Sequence, residues 1–213
     1  MAVVKIYGDG LPTTASTTMY TGKTDKTCII KSIILCNVNS VDTTVTMALN
    51  SSPINYLIYA KPMKANQTLV IPISDVVISP GETIRMWCSA PYVNARVTAE
   101  ERDGAPLTLG LNSFRVSMPA SSTPTTIVPA LGSTSRLVKS LVLCNVTATA
   151  QTVTIRFGWS GDNCNLINKY TIAANDTILI PFADMIISSN EFIEGWCSAS
   201  GAVHAHIVME VVT

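Results

Sequence analysis

The chain has 213 residues, with 14 basic and 14 acidic side chains, and only 13% of its residues are charged against 47% that are hydrophobic. Zero net charge and the lack of a dense lysine or arginine cluster argue against nucleic-acid binding, which needs clustered cations to displace counterions. No apolar run approaches the roughly 18 residues of a membrane helix, so a membrane-spanning chain is not expected.

The sequence repeats itself 108 positions further along the chain. Residues 31–38 (KSIILCNV) return as residues 139–146 (KSLVLCNV), and an ungapped comparison of 31–50 with 139–158 gives nine identities. A period of this length is that of a domain, because solenoid and propeller units are much shorter. The repeat therefore indicates an internal duplication.

Later blocks extend the repeat with an offset of 109. ANQTLVIP at 65–72 is matched by ANDTILIP 109 residues later, and the block WCSA occurs in both copies. We predict two domains, 1–104 and 105–213, each long enough to bury a core. The boundary is expected near 100–106, a charged and turn-rich stretch that is typical of a linker.

In the first copy the pattern predicts one strand after another. Residues 44–49 alternate polar and apolar side chains, which is typical of a strand with one face on a core. Residues 68–71 form a continuous apolar run ended by proline, which predicts a strand buried on both faces. Residues 73–78 are compatible with a short helical turn, and a turn signal at 80–82 precedes another strand at 83–88.

The second copy repeats this order. Residues 152–157 alternate in the same way, 177–180 form the matching apolar run, and 202–211 close the copy as a terminal strand. Short strands joined by turn residues indicate antiparallel sandwiches. The predicted fold class is all-β, with two tandem antiparallel β-sandwich, jelly-roll-like domains of seven or eight strands each.

Cysteine and tryptophan recur at matching positions. We predict that these repeated residues are structural core positions: Cys36, Cys144, Trp87, Trp196, Cys88 and Cys197. The N-terminus lacks a basic lead and an apolar signal core, so a cytoplasmic chain with buried thiols is expected. A disulfide within each copy, Cys36 with Cys88 and Cys144 with Cys197, is the alternative. Without a CxxC motif, a structural zinc site is not expected.

Few residues suggest catalysis. His204 and His206 share one face of the terminal strand and could in principle hold a metal, but no carboxylate has ligand-like spacing nearby, and half-exposed strand histidines are the simpler interpretation. Asp75 and Asp184 match each other across the copies, which favours a repeated structural role in a turn. We predict no catalytic residue, no cofactor, no metal site, and a protein that is not an enzyme.

Loop residues between the strands are candidates for partner contacts. Trp159 and Asp162 lie in the loop that follows the alternating strand of the second copy, and Tyr56 lies in the matching loop of the first. An aromatic ring on a loop can anchor a protein partner or a glycan. Packing of the ring over the edge of the sandwich is the competing interpretation. A calcium site around Asp162 is not supported, because the alternating oxygen ligands are missing.

The repeated pattern K-S-(I/L)-x-L-C-N-V, then a Thr-rich alternating strand, A-N-x-T-(L/I)-x-I-P and (T/F)-I-x-x-W-C-S-A, resembles the β-sandwich repeats of tailed-bacteriophage virion proteins. The resemblance covers nearly the whole chain. It implies a virion structural protein, made in the host cytoplasm, that contacts capsid, neck or tail subunits and forms a homo-oligomer.

The resemblance favours an accessory subunit that decorates or cements the capsid. A neck or tail accessory or fibre-attachment protein is the first alternative. A carbohydrate-binding or receptor-binding module that uses Trp159 and Tyr56 is the alternative from another class.

Overall fold

The computed structural model describes residues 2–13, 17–50, 54–120, 124–130, 132–159, 162–180 and 185–212. The chain divides into two compact units, Met1–Leu109 and Gly110–Thr213. Within the described residues, each unit holds nine strands, and the one helical element is a 3-10 turn at Pro106–Leu109. The all-β prediction is confirmed, although each sandwich has more strands than the seven or eight expected.

The first unit is a sandwich of two antiparallel sheets. Its strands are β1 (Ala2–Gly10), β2 (Thr18–Thr21), β3 (Lys26–Asn37), β4 (Thr43–Asn50), β5 (Asn55–Met63), β6 (Thr68–Ile71), β7 (Val76–Ile78), β8 (Thr83–Cys88) and β9 (Val93–Asp103). One sheet has the order β1-β9-β3-β6, with β7 also paired to β3, and the other has the order β2-β8-β4-β5.

The second unit repeats this topology strand for strand. Its strands are β10 (Leu111–Ser117), β11 (Thr125–Val128), β12 (Arg136–Asn145), β13 (Gln151–Trp159), β14 (Asp162–Ile172), β15 (Thr177–Ile180), β16 (Met185–Ile187), β17 (Phe192–Cys197) and β18 (Val203–Val211). The sheets have the orders β10-β18-β12-β15, with β16 also paired to β12, and β11-β17-β13-β14. The identical strand order of the two units agrees with the internal duplication in the sequence.

Each core lies between the two sheets of its own unit. In the second unit Leu141 and Ile207 of one sheet join Val153 and Ile193 of the other in a single buried cluster. The alternating strands supply these side chains, because every second residue of a strand points to the same face. Sequence periodicity therefore identified the inward residues of β4 and β13 correctly.

A lysine occupies a β-bulge at the same place in both units. Lys31 has no partner residue on β9, so β3 changes phase there, and Lys139 does the same in β12. The bulge allows Ile30 and Ile33 to face one core although an odd number of positions separates them. Lys31 Nζ lies 2.6 Å from an Asp75 carboxylate oxygen, which fixes the side chain on the outer surface.

A buried asparagine ends the long central strand of each unit. In the first unit the Asn37 side chain is 0% exposed. Its Nδ2 donates to the carbonyls of Val41 at 2.9 Å and Lys64 at 3.0 Å, and its Oδ1 accepts the Asn39 amide at 3.0 Å. One side chain thereby joins the turn after β3 to the turn that precedes β6.

Asn145 makes the same set of bonds in the second unit. Its Nδ2 donates to the carbonyls of Thr149 at 2.7 Å and Ala173 at 2.9 Å, and its Oδ1 accepts the Thr147 amide at 3.0 Å. Buried polar groups are stabilising only when they are hydrogen-bonded, and here both ends of the amide are. This explains why the Cys-Asn-Val block of the repeat has kept its asparagine.

Three local predictions are wrong. The apolar runs of β6 and β15 are not buried on both faces, because these strands lie at sheet edges, where Val70 is 71% exposed. Residues 73–75 form no helix, and residues 76–78 are a strand paired with β3. The charged stretch at 100–103 belongs to β9 rather than to a linker. Edge position depends on the order of strands in the sheet, which periodicity does not contain.

We expect Asn145→Ala to destabilise the second unit by about 2 to 4 kcal/mol, because two carbonyls and one amide lose their buried partner. Urea unfolding followed by circular dichroism would measure the change. The control is Asn168→Ala, at an exposed residue of β14, which should change the free energy of unfolding by less than about 0.5 kcal/mol. Equal stability of the two variants would contradict the structural role of the buried amide.

Candidate functional site

On the outer face of the sheet β1-β9-β3-β6, two exposed apolar side chains lie opposite each other on neighbouring strands. Ile34 and Val70 are register partners on β3 and β6, and their side chains are 38% and 71% exposed. The neighbouring side chains of this face are small or polar. We call this surface the outer patch: Ile34, Cys36, Thr68, Val70 and Arg96.

The same face of the second unit is different in character. Val142, Cys144 and Val208 occupy it and are buried within the chain. His204 and His206 also lie there, opposite Cys144 and Val142 in the register of β12 and β18. The duplicated backbone therefore presents two distinct outer faces.

The repeated tryptophans lie on the outer faces of the other two sheets. Trp87 and Trp196 are half-buried and alternate along β8 and β17 with the buried residues that form the core. The Arg156 guanidinium stacks over the Trp196 ring at 5.2 Å from its centroid and pairs with the Glu194 carboxylate. Assignment of the two tryptophans to the core was wrong, because the inward positions of these strands belong to their neighbours in sequence.

All six cysteines are thiols without disulfide bonds. Cys88 and Cys197 are buried in the cores, where burial raises the pKa of both thiols and keeps them protonated. Cys36 lies on the outer patch, half-buried, and Cys144 alternates with the core residue Leu143 on β12. Two of the predicted core cysteines therefore face away from the core. The expectation of free thiols agrees with the structure, and the alternative of one disulfide within each copy does not.

The predicted loop residues are only partly accessible for a partner. Trp159 ends β13 and is 39% exposed. Tyr56 is half-buried on β5, where its ring meets that of Tyr59 edge to face at 4.9 Å between centroids. Asp162 begins β14, and its side chain lies outside the described residues. Their role in partner contacts stays a prediction.

Of the two matched aspartates, the structure describes Asp75 alone. Asp75, with a φ of 58°, binds Lys31, whereas Asp184 lies outside the described residues. A carboxylate that bonds to a backbone amide of a turn is found at Glu82, whose Oε2 accepts the Ser79 amide at 2.7 Å.

Glu191 repeats this bond with the amide of Ser188 at 2.7 Å. Sequence comparison showed that both glutamates are retained. The signal for their role was the spacing of three residues across a turn, which lets a carboxylate reach back to a backbone N–H.

The two histidines are buried, contrary to the half-exposed position expected of a terminal strand. Although β18 is last in sequence, it lies between β10 and β12 in its sheet. His206 is 1% exposed, and its Nε2 lies 2.7 Å from Ser113 Oγ and 3.4 Å from Arg115 Nε. An arginine Nε can only donate, so Nε2 is the acceptor and Nδ1 carries the proton.

Ser113 and His206 form a pair that sequence reasoning missed, because 93 positions separate them. The pair resembles a nucleophile and its base, but the buried Nδ1 of His206 has no hydrogen-bond partner among the described residues, so no third group orients the ring. Burial and the charge of Arg115 lower the pKa of His206 well below its usual value, and burial lowers the pKa of His204. Both rings are neutral at neutral pH.

Among the described residues, no group of three or more histidine, cysteine or carboxylate side chains is arranged to hold a metal ion. The described part of the chain also contains no helix with the length and apolar character needed to cross a membrane.

An open groove lies at one end of the first unit, at residues that the sequence did not single out. It has a volume of about 520 Å³ and lies between β1, the start of β2 and the turn that leads into β9. Tyr7, Asp9, Met19, Tyr92 and Asn94 contribute its side-chain surface. Its residues come from three separate segments, so no local motif marks it in the sequence.

No protein-family model matches the sequence, and no curated protein matches it significantly. Among solved structures, the STIV MCP is 10% identical, over 98% of this chain and 95% of that chain, with a TM-score of 0.33. The infectious bursal disease virus VP2 subviral particle is 8% identical, over 99% and 72%, with a TM-score of 0.30. Similarities with TM-scores this low carry no argument about function.

We expect the stability of the second unit to fall as the pH drops from 7.5 to 5.5. The folded pKa of His204 and His206 is below the unfolded value of about 6.5, so the unfolded chain binds more protons in this range. Each histidine can lower the free energy of unfolding by up to about 1.4 kcal/mol for each pH unit of acidification. Urea midpoints across this range would show it.

The variant that tests this prediction carries both His204→Gln and His206→Gln. Its free energy of unfolding should depend much less on pH between 7.5 and 5.5. The carboxylates with lowered pKa, such as Glu101 beside Lys23, lose their contribution only nearer their unfolded pKa of about 4.3, below this window. A slope that survives the double substitution would contradict burial of neutral histidines.

Proposed function

We propose that the chain is a non-enzymatic structural protein of a tailed-phage virion, an accessory subunit that decorates or cements the capsid through protein contacts. The observation that carries the proposal is the outer patch of the first unit. It combines an exposed apolar pair with small polar neighbours and one charge, Arg96, a composition suited to burial against another protein surface.

The composition of the chain supports the same function. A charged fraction of 13% gives little charge repulsion against association, as expected for a surface that is covered in an assembly. Symmetric virion contacts would cover such a surface and would require no catalytic residue. A homo-oligomer is part of the proposal.

The duplication suggests how one chain could hold two neighbours. The two units share a topology but differ at matching positions of their outer faces, with Ile34 38% exposed in one and Val142 buried in the other. Two linked modules with different surfaces favour different partners, and the first contact raises the effective concentration for the second. This arrangement would let one chain bridge adjacent subunits of the particle.

The neck or tail accessory role is the second candidate, because the outer patch would serve it equally well. The two roles differ in the partner that the patch covers. Binding to empty heads distinguishes them directly.

We expect the purified chain to be a discrete oligomer by light scattering and to saturate empty heads of its own phage at a fixed stoichiometry. Val70→Glu should abolish attachment without changing the melting temperature, because it places a charge at the most exposed apolar position of the patch. Val41→Glu is the control, since Val41 is 50% exposed in the turn after β3 and lies outside the patch.

An oligomer that does not bind heads but binds isolated necks or tails would support the neck or tail role instead of the capsid role. A monomer that binds none of these particles would overturn the virion role. Equal attachment by the Val70→Glu and Val41→Glu variants would show that the outer patch is not the contact.

A further inference from the structure

The groove of the first unit contains a strained aromatic residue. Tyr92 has a φ of 71°, in the left-handed region that is costly for a bulky residue, and its side chain is 66% exposed. An exposed ring gains little from packing, so packing does not explain why a tyrosine is kept there. Strain of this kind is concentrated at binding sites, where the fold holds a side chain for a ligand.

The second unit provides the comparison. Its corresponding turn also has one left-handed residue, and that residue is Gly201, with a φ of 74°. The turn of the second unit is one residue longer, since Val38 donates to the carbonyl of Tyr92, whereas Val146 donates to the carbonyl of Ala202, the residue after Gly201. The second unit therefore makes this connection with a glycine in the left-handed position, which adopts that φ without strain and presents no ring.

Beside Tyr92, the groove also has side chains that form hydrogen bonds. Tyr7 donates its hydroxyl to the Gly10 carbonyl at 2.6 Å, and Asp9 Oδ1 accepts the Gly10 amide at 2.8 Å. Burial and the Asp9 carboxylate raise the pKa of Tyr7, so its hydroxyl stays neutral. Asp9 is exposed and retains acceptor capacity on Oδ2, and Asn94 adds an exposed amide that can donate and accept.

The charge and shape of the groove define the ligand class. Among its described lining residues there is one carboxylate and no cation, which disfavours anionic ligands such as phosphates or acidic sugars. An exposed ring offers a flat apolar surface, and the carboxylate and amide beside it accept and donate to hydroxyl groups. A flat apolar face edged by hydroxyls is the surface of a neutral sugar ring.

We infer that this groove binds a neutral oligosaccharide, with Tyr92 stacked on a sugar ring and Asp9 and Asn94 bonded to its hydroxyl groups. The volume of about 520 Å³ lies within the range of about 300 to 1,000 Å³ that is usual for small-molecule sites. The inference does not rest on the proposed virion role. It places glycan binding in the first unit, whereas Trp159, which the sequence suggested, belongs to the second.

The test uses the full chain and ligand-observed saturation-transfer NMR with four neutral probes: maltotriose, cellotriose, chitotriose and a β-galactosyl trisaccharide. We expect at least one probe to bind. Tyr92→Gly should weaken that binding at least tenfold, while the melting temperature stays equal or rises because the left-handed strain is relieved. Asp9→Asn should weaken binding severalfold without unfolding the sheet.

Two controls locate the site. Tyr170→Ala removes a tyrosine that is 48% exposed in the second unit and should leave binding unchanged. Trp159→Ala tests the loop site. The inference is overturned if no neutral probe binds, if Tyr92→Gly binds as well as the parent chain, or if binding disappears only with Trp159→Ala. Displacement of the sugar by an unrelated extended peptide would assign the groove to peptides and would also overturn it.

Discussion

The buried amide at the end of the central strand is the constraint on which the rest of each sandwich depends. Asn37 and Asn145 end β3 and β12, the strands that pair on both sides within their sheets. Each amide bonds to two turns that leave the sheet, so it fixes where the chain crosses to the opposite sheet and where it returns. Without these bonds the backbone groups of two turns would be buried without partners.

Much of the fold could be predicted because it depends on the local alternation of polar and apolar residues and on the internal repeat. The alternation of β4 and β13 identified their core faces, and the duplication indicated two similar sandwiches. The errors arose where the answer depends on strand order, as with the exposed edge position of Val70 and the central position of His206. The domain limits 1–104 and 105–213 stay a prediction, as do the contact roles of the loop residues.

The candidate sites were less predictable than the fold for the same reason. The outer patch is formed by β3, β6 and β9, and the groove by three segments, so the residues of each site are distant in sequence. The left-handed backbone of Tyr92 involves a single residue, but an amino-acid sequence does not reveal a positive φ at a tyrosine. Both proposed sites lie on surfaces that form when strands distant in sequence pair, whereas repeated residues such as Asn37 and Asn145 hold the backbone.

The pairing of strands that are distant in sequence affects how the chain folds. β3 cannot pair with β9 until β9 is made, more than fifty residues later, so this sheet closes through contacts that are distant in sequence. β9 brings Glu100 to Lys31 in the first unit, and β18 brings Glu210 to Lys139 at the matching position of the second. Because both copies have this ion pair, it does not distinguish a unit's own strand from that of the other copy. The order of synthesis does, since all nine strands of the first unit are made before any strand of the second, and the first sandwich can close before a competing strand exists.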